Sequence, residues 1–209
     1  MGLKKKTTTV LSTEPPEEAK SVDELCHLLQ SPDADIRRDA AQQLIGESIA
    51  ASALMARVPD EADESVIEVL FSAIQSVVDE SLVPDIAQCL KSDSAQVRNA
   101  AIQLFQLQPQ LFAKHVLELL SDVDTDTRIF AVDIIGAIQH HDARSWLHQV
   151  IQSDSSINVV GTAIDKLSEI GDVSSLPVLE SARTKFADNG YICFAIDTVS
   201  KQLVDCANE

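Results

Sequence analysis

The feature that most constrains this chain is a pattern that returns about every thirty residues. It reads Ile36-Arg37-Arg38-Asp39-Ala40-Ala41-Gln42-Gln43-Leu44, then Val97-Arg98-Asn99-Ala100-Ala101-Ile102-Gln103-Leu104-Phe105, then Thr127-Arg128-Ile129-Phe130-Ala131-Val132-Asp133-Ile134-Ile135. Weaker copies begin at Val66, Val159 and Tyr191, so the six starts lie 30, 31, 30, 32 and 32 residues apart. Self-similarity at this period marks a stacked helical array, because a unit this short cannot bury its apolar face alone and must lean on its neighbours. Aromatic residues make up only 4% of the 209, against 45% hydrophobic residues overall. The stacking must therefore rely on Ala, Leu, Ile and Val.

Within each unit the spacing predicts a first helix, a short polar turn and a second helix. Counting the start of the motif as position 0, positions 0, +4 and +8 share one helix face. Position +4 holds Ala40, Leu70, Ala101, Ala131, Ala163 and Ala195, and +8 holds Leu44, Ile74, Phe105, Ile135, Leu167 and Val199. Small residues let helices approach and bulky ones fill the gap, so this face is predicted to be core. The turns read Leu29-Gln30-Ser31-Pro32-Asp33, Leu90-Lys91-Ser92-Asp93, Leu120-Ser121-Asp122 and Gln152-Ser153-Asp154-Ser155. Ser and Asp satisfy free amides at a helix N-terminus, so these turns launch the second helices. Pro84 and Pro177 fall in the opening turns of first helices, where a missing N–H costs nothing. Ser21-Val22-Asp23-Glu24 has the form of a capping box and starts the array.

Residues 1–20 read as a flexible tail, with Lys4-Lys5-Lys6-Thr7-Thr8-Thr9 followed by Thr13-Glu14-Pro15-Pro16-Glu17-Glu18 and no sustained apolar period. Residues 21–209 read as one continuous repeat domain. No run approaches the roughly 20 apolar residues of a membrane span, and no apolar segment follows the basic start as a secretory signal requires. The expectation is a cytoplasmic protein that binds no membrane. Cys26, Cys89, Cys193 and Cys206 are scattered without a C-x-x-C pair, so neither disulfides nor a metal cluster is expected of them.

The chain has 16 Lys and Arg against 33 Asp and Glu, a net charge of −17. Residues 1–20 hold four Lys and three Glu, which leaves 12 basic and 30 acidic residues, or −18, in the repeats. A body this acidic repels phosphate backbones and disfavours sequence-independent nucleic-acid binding, so no nucleic-acid partner is expected. It suits solubility or a partner with a basic surface or peptide.

The motif resembles the HEAT repeat in its short bacterial form, the phycobilisome-lyase type, written Asp-x-x-Val-Arg-x-x-Ala-Ala-x-x-Leu with a following Gly-Asp turn. Asp35-Ile36-Arg37 with Ala40-Ala41 and Leu44 carries the likeness, as do Val97-Arg98 with Ala101 and Asp126-Thr127-Arg128 with Ala131. The fifth unit adds the turn, Ile170-Gly171-Asp172 before Leu176-Pro177-Val178-Leu179. The resemblance runs from about residue 21 to 206 and implies an all-α, right-handed α-α superhelix of about six two-helix repeats. In the family the motif arginine links adjacent turns through an acidic partner. Ile67, Val160 and Ile192 replace it here, so the ladder is expected to be partial and the later repeats to lean on apolar packing. Pro59-Asp60-Glu61-Ala62-Asp63-Glu64 is an atypical acidic turn, read as a divergent connection, with a binding loop as the alternative.

No Walker A sequence, G-x-S-x-G or H-E-x-x-H is present, and no His-Glu dipeptide of the kind that HEAT-like metal enzymes use. His140, His141 and His148, with Asp142, form the one histidine cluster, and a zinc site would want a further ligand and tighter spacing. No catalytic residue, metal or cofactor is expected. In HEAT arrays the second helices line the concave surface, and position +6 lies about 200° from the core stripe at 100° per residue. It holds Gln42, Ser72, Gln103, Asp133, Asp165 and Asp197, flanked at +2 by Arg38, Glu68, Asn99, Ile129, Gly161 and Cys193. The expected partner-binding residues are Arg38, Gln42, Asn99, Gln103, Ile129, Asp133, Asp165 and Asp197, with the three aspartates forming an acidic ladder and Phe130 and Phe194 at its edge. This predicts a non-catalytic scaffold, adaptor or regulatory subunit. A lyase-like or metal-dependent enzyme, or an enzyme accessory, is the alternative.

Overall fold

The computed structural model describes residues 19–208, which form twelve α-helices and four short 3-10 turns, with no strand among the described residues. The helices pair in chain order: α1 (Val22–Leu28) with α2 (Ala34–Gln43), α3 (Ala51–Arg57) with α4 (Glu64–Val77), α5 (Val83–Cys89) with α6 (Ala95–Leu107). The last three pairs are α7 (Pro109–Leu120) with α8 (Thr125–Ala137), α9 (Ala143–Ser153) with α10 (Ile157–Ile170), and α11 (Leu176–Lys185) with α12 (Gly190–Cys206). These six pairs are the six repeats. The even-numbered helices stack in one row, from α2 through α12, and each packs against its odd-numbered partner across the core. The array is an all-α helical solenoid. The expected tail lies outside the described residues as far as residue 18. Among the described residues no helix is long and apolar enough to cross a membrane.

The helix starts follow the polar turns. The Ser21 hydroxyl accepts from the Glu24 amide while Glu24 reaches back to the Ser21 amide, completing the capping box. Asp33, Asp63, Ser94 and Asp124 each accept from amides in the first turn of α2, α4, α6 and α8. Each such cap is worth about 1 kcal/mol. Pro84 and Pro177 sit in the opening turns of α5 and α11, as the sequence predicts.

Every +4 and +8 residue is buried, from Ala40 and Leu44 to Ala195 and Val199. Position 0 departs from the expectation. Val66, Val97, Thr127 and Val159 are buried, whereas Ile36 and Tyr191 are exposed. Ile36 belongs to the first repeat among the described residues. Tyr191, in the opening turn of α12, lies over Gly161 of α10 in the preceding repeat, where a Cβ would come within 2.9 Å of its ring, and its other side stays exposed. Gly161, at +2, is therefore buried and not part of a free row. Gly136 of α8 similarly receives the Lys166 methylenes of α10, which a Cβ there would overlap.

Side chains also tie the turns together. The Arg37 guanidinium is buried and donates to both oxygens of Glu61, at 2.7 and 2.8 Å, and to the Ser31 carbonyl at 2.9 Å. Glu61 also accepts from Arg57 and from the amides of Ala62 and Asp63. The acidic turn is thus the connection that receives the first motif arginine. Burial opposes the Glu61 charge, but the Arg37 hydrogen bond, the Asp63 amide and the nearby Arg57 outweigh it and hold the carboxyl at about 2, against an ordinary 4.5. Arg128 repeats the arrangement with Asp154 at 2.8 Å. Arg98 instead donates to the carbonyls of Ser92 and Asp93 in its own turn, and Lys91–Asp122 at 2.8 Å makes the link to the next.

The later repeats keep ionic links despite losing the motif arginine. Arg144 pairs with Asp172, and Lys185 donates to the Gln152 and Asp154 carbonyls. The second and third repeats differ from the other neighbours. Among the described residues their side-chain link is one neutral donor, Gln96 Nε2, on Glu64 Oε1 at 2.6 Å. A cavity lies on each side of that boundary, one of about 470 Å³ between α4 and α6 and one of about 440 Å³ beside Met55, Val58, Cys89 and Val97. All four cysteines are free, and burial pushes the Cys89 thiol up to about 11.

Candidate binding groove on the even-numbered helices

The larger cavity is an open groove along the free side of α4 and α6. Its floor is apolar: Ile67 and Phe71 from α4, Ala100 and Leu104 from α6. Ile67 stands where Arg37 stands in the first repeat. A branched aliphatic side chain cannot reach the next turn as an arginine does, so the position that would bridge two repeats instead lines the space between them. Around the floor stand Glu68, Ser72 and Gln75 on α4 and Asn99 and Gln103 on α6, all exposed, with the Glu64–Gln96 hydrogen bond across the junction. The lining holds two carboxylates and no cation. Four amide side chains, each able to donate and accept, surround a hydrophobic strip. Such a surface can satisfy an extended backbone and hold an apolar side chain.

Of the eight expected binding residues, the groove brings together Asn99 and Gln103. Arg38 lies at the α2–α4 junction, paired with Asp35 and donating to the Ser65 hydroxyl at 3.0 Å. Gln42 is exposed on α2 and Asp165 on α10, while Ile129 is half-buried against the core. The aspartate row is partly neutralised within the chain. Lys166 Nζ lies 3.4 Å from Asp133, and Arg183 pairs with Asp197. Phe194 is 71% exposed and Tyr191 55%, an aromatic pair at the far end of the same row. Glu64, Glu68, Phe71, Ser72, Gln75 and Gln96 complete the groove but were not among the expected site residues. The available signal was the motif gap at Ile67, which marks the one early junction without an arginine.

The histidines divide. His148 Nε2 lies 2.9 Å from the buried Ser175 hydroxyl at the joint with α11, and burial lowers its pKa, with Arg144 adding to the effect. His140, His141 and Asp142 remain together before α9, their ligand atoms within 4.8 Å of one another. The His140 ring stacks on Trp146 at 4.7 Å, and its Nδ1 accepts from the Asp142 amide at 3.2 Å. That hydrogen bond places the proton of the neutral ring on Nε2, which opposes metal ligation there.

Residues 113–189 match the family model for HEAT repeats. The chain is 31% identical over 133 residues to protein YibA of Escherichia coli strain K12, and equally to that of strain O157:H7, covering 62% of this chain. It spans 46% of the length of those relatives. Among solved structures, the CpcE–CpcF complex of phycocyanin lyase from Nostoc sp. PCC7120 is 16% identical, with a TM-score of 0.38 over 92% of this chain and 99% of that one. A designed armadillo repeat protein is 18% identical, with a TM-score of 0.39 over 88% of this chain and 100% of that one. The X-ray structure of YibA gives 20% identity and 0.38 over 86% and 81%.

Proposed function

We propose that this HEAT-repeat chain is a non-catalytic interaction subunit of the cytoplasm, which holds a protein partner on the concave side of its even-numbered helices. The observation that carries this reading is the groove between α4 and α6, where Asn99 and Gln103 stand over an apolar floor beside uncompensated carboxylates. The preferred partner presents an extended segment with a basic and an apolar side chain. Such a segment matches amides to its backbone, carboxylates to its charge and the Phe71–Leu104 strip to its anchor. Asp165 and the Tyr191–Phe194 pair extend the surface toward the C-terminal repeats.

The test is affinity capture from the native host with three proteins: wild type, Asn99→Ala with Gln103→Ala, and Asp133→Lys with Asp165→Lys and Asp197→Lys. The groove variant should lose the partner at least about tenfold while its thermal melt stays unchanged, and the aspartate variant should weaken capture less. Equal capture by all three, with folding intact, would overturn the reading. A second reading, a metal-dependent enzyme or enzyme accessory, rests on the proximity of His140, His141 and Asp142, and it requires His140 to give up its Asp142 amide hydrogen bond. Stoichiometric transition metal in the purified protein, lost on His141→Ala, would support it.

A further inference from the structure

We infer that the α4/α6 groove is also the docking site of this chain's own N-terminal segment, Lys4-Lys5-Lys6-Thr7-Thr8-Thr9-Val10-Leu11, which competes there with the partner. The docking is argued from the groove itself, and only the competition rests on the function proposed above.

Charge points to this occupant. The repeats carry 12 basic and 30 acidic residues, and 11 of those 12 cations are already engaged by carboxylates or backbone carbonyls. The excess of acid therefore has few cations inside the array to meet it. The densest run of positive charge in the sequence is Lys4-Lys5-Lys6, outside the described residues. The groove offers it Glu64 and Glu68 with no competing cation in the lining.

The adjoining residues fit as well. Three threonines and a valine favour an extended backbone, which the amides of Asn99 and Gln103 can meet in both directions. Val10 or Leu11 supplies an apolar side chain for the Ile67–Phe71–Leu104 floor.

Length permits the contact. Twelve residues separate Lys6 from Ala19, the first described residue, and extended chain covers about 40 Å over that number. The groove begins at the second even-numbered helix of a row whose members stand roughly 8–10 Å apart. Individual exposed ion pairs are weak. Tethering supplies what they lack, because an attached segment meets its site at an effective concentration on the order of millimolar.

Two measurements on the full-length chain test the inference. The first is zero-length carbodiimide coupling of amines to carboxylates, run on an equal mixture of 15N-labelled and unlabelled protein. Lys4, Lys5 or Lys6 should couple to Glu64 or Glu68 within one isotopic form. Val10→Ser with Leu11→Ser adds and removes no coupling group yet should cut the yield several-fold. The second uses a fluorescent synthetic peptide of residues 1–18 as the probe. It should bind the full chain carrying Lys4→Glu, Lys5→Glu and Lys6→Glu about two- to tenfold more tightly than wild type, whose groove is already occupied part of the time.

Coupling confined to other carboxylates, mixed isotopic pairs that report a second copy, or equal peptide binding to both chains would each overturn the inference. The two readings fail separately. Tail coupling that persists while partner capture ignores Asn99 and Gln103 removes the proposed partner site alone, whereas groove-dependent capture without tail coupling removes the inference alone.

Discussion

Glu61 carries a carboxylate with no exposed surface, two arginine partners and two backbone amides, so its charge is held where water cannot replace a lost contact. Breaking a buried pair from one side strands the other charge, at a cost of about 3–5 kcal/mol. Glu61→Gln should therefore lower the unfolding free energy measured by urea titration by about 3 kcal/mol, near the bottom of that range. Replacing both partners, Arg37→Met with Glu61→Leu, should recover much of the loss; a double variant as unstable as the single one would show that the pair does more than neutralise itself. The folded carboxyl lies at about 2 against an ordinary 4.5. A depressed carboxyl contributes stability above its unfolded value and loses it as pH falls. Stability should thus decline from pH 4.5 toward 2, with a shallower slope in Glu61→Gln. The motif predicts that Arg37 needs an acid. The sequence does not say which of Asp60, Glu61, Asp63 and Glu64 supplies it, because only the path of the turn carries Glu61 inward and leaves Asp63 to cap α4.

At the scale of the helix, the +4 and +8 positions were legible because each repeat buries them in the same way whatever its neighbours are. Position 0 was less so: Ile36, in the first described repeat, and Tyr191, which lies over Gly161, are both exposed. The close approach of α8 and α10 is of the same kind. Glycine within a helix costs roughly 1 kcal/mol relative to alanine, so Gly136 is retained against propensity and makes room for Lys166. Gly136→Ala should destabilise by about 1–2 kcal/mol through displacement of that side chain. In a Lys166→Ala background the same change should stabilise by up to about 1 kcal/mol. Thermal melts of the four proteins decide this, and a destabilisation that persists without Lys166 would place the conflict elsewhere.

For the molecule as a whole, the solenoid and its six repeats could be read from period alone, while the groove could not. The +2 and +6 rows describe one helix at a time, whereas a groove depends on how far two helices separate. The missing arginine at Ile67 marks the location, but by itself it implied only a partial ladder, and the apolar floor appears only when Phe71 and Leu104 are placed opposite each other. The aspartate row is less negative than its helical spacing suggests, for the converse reason. Lys166 and Arg183 lie on other helices, so their compensation of Asp133 and Asp197 has no signature at helical spacing.

The single amide–carboxylate hydrogen bond that links the second and third repeats among the described residues has a mechanical meaning. Every other pair of neighbours is held by at least one ion pair, whereas Gln96 and Glu64 share a solvent-exposed hydrogen bond between two cavities. Arrays of this kind come apart at their weakest interface. Under a load applied between residues 21 and 206, the first rupture should free residues 21–78 as a block, about 200 Å of chain at its extended length. The remaining four repeats would still bear the force. A molecule assembled as two repeats and four transmits tension as two stiff rods joined at the floor of its own groove.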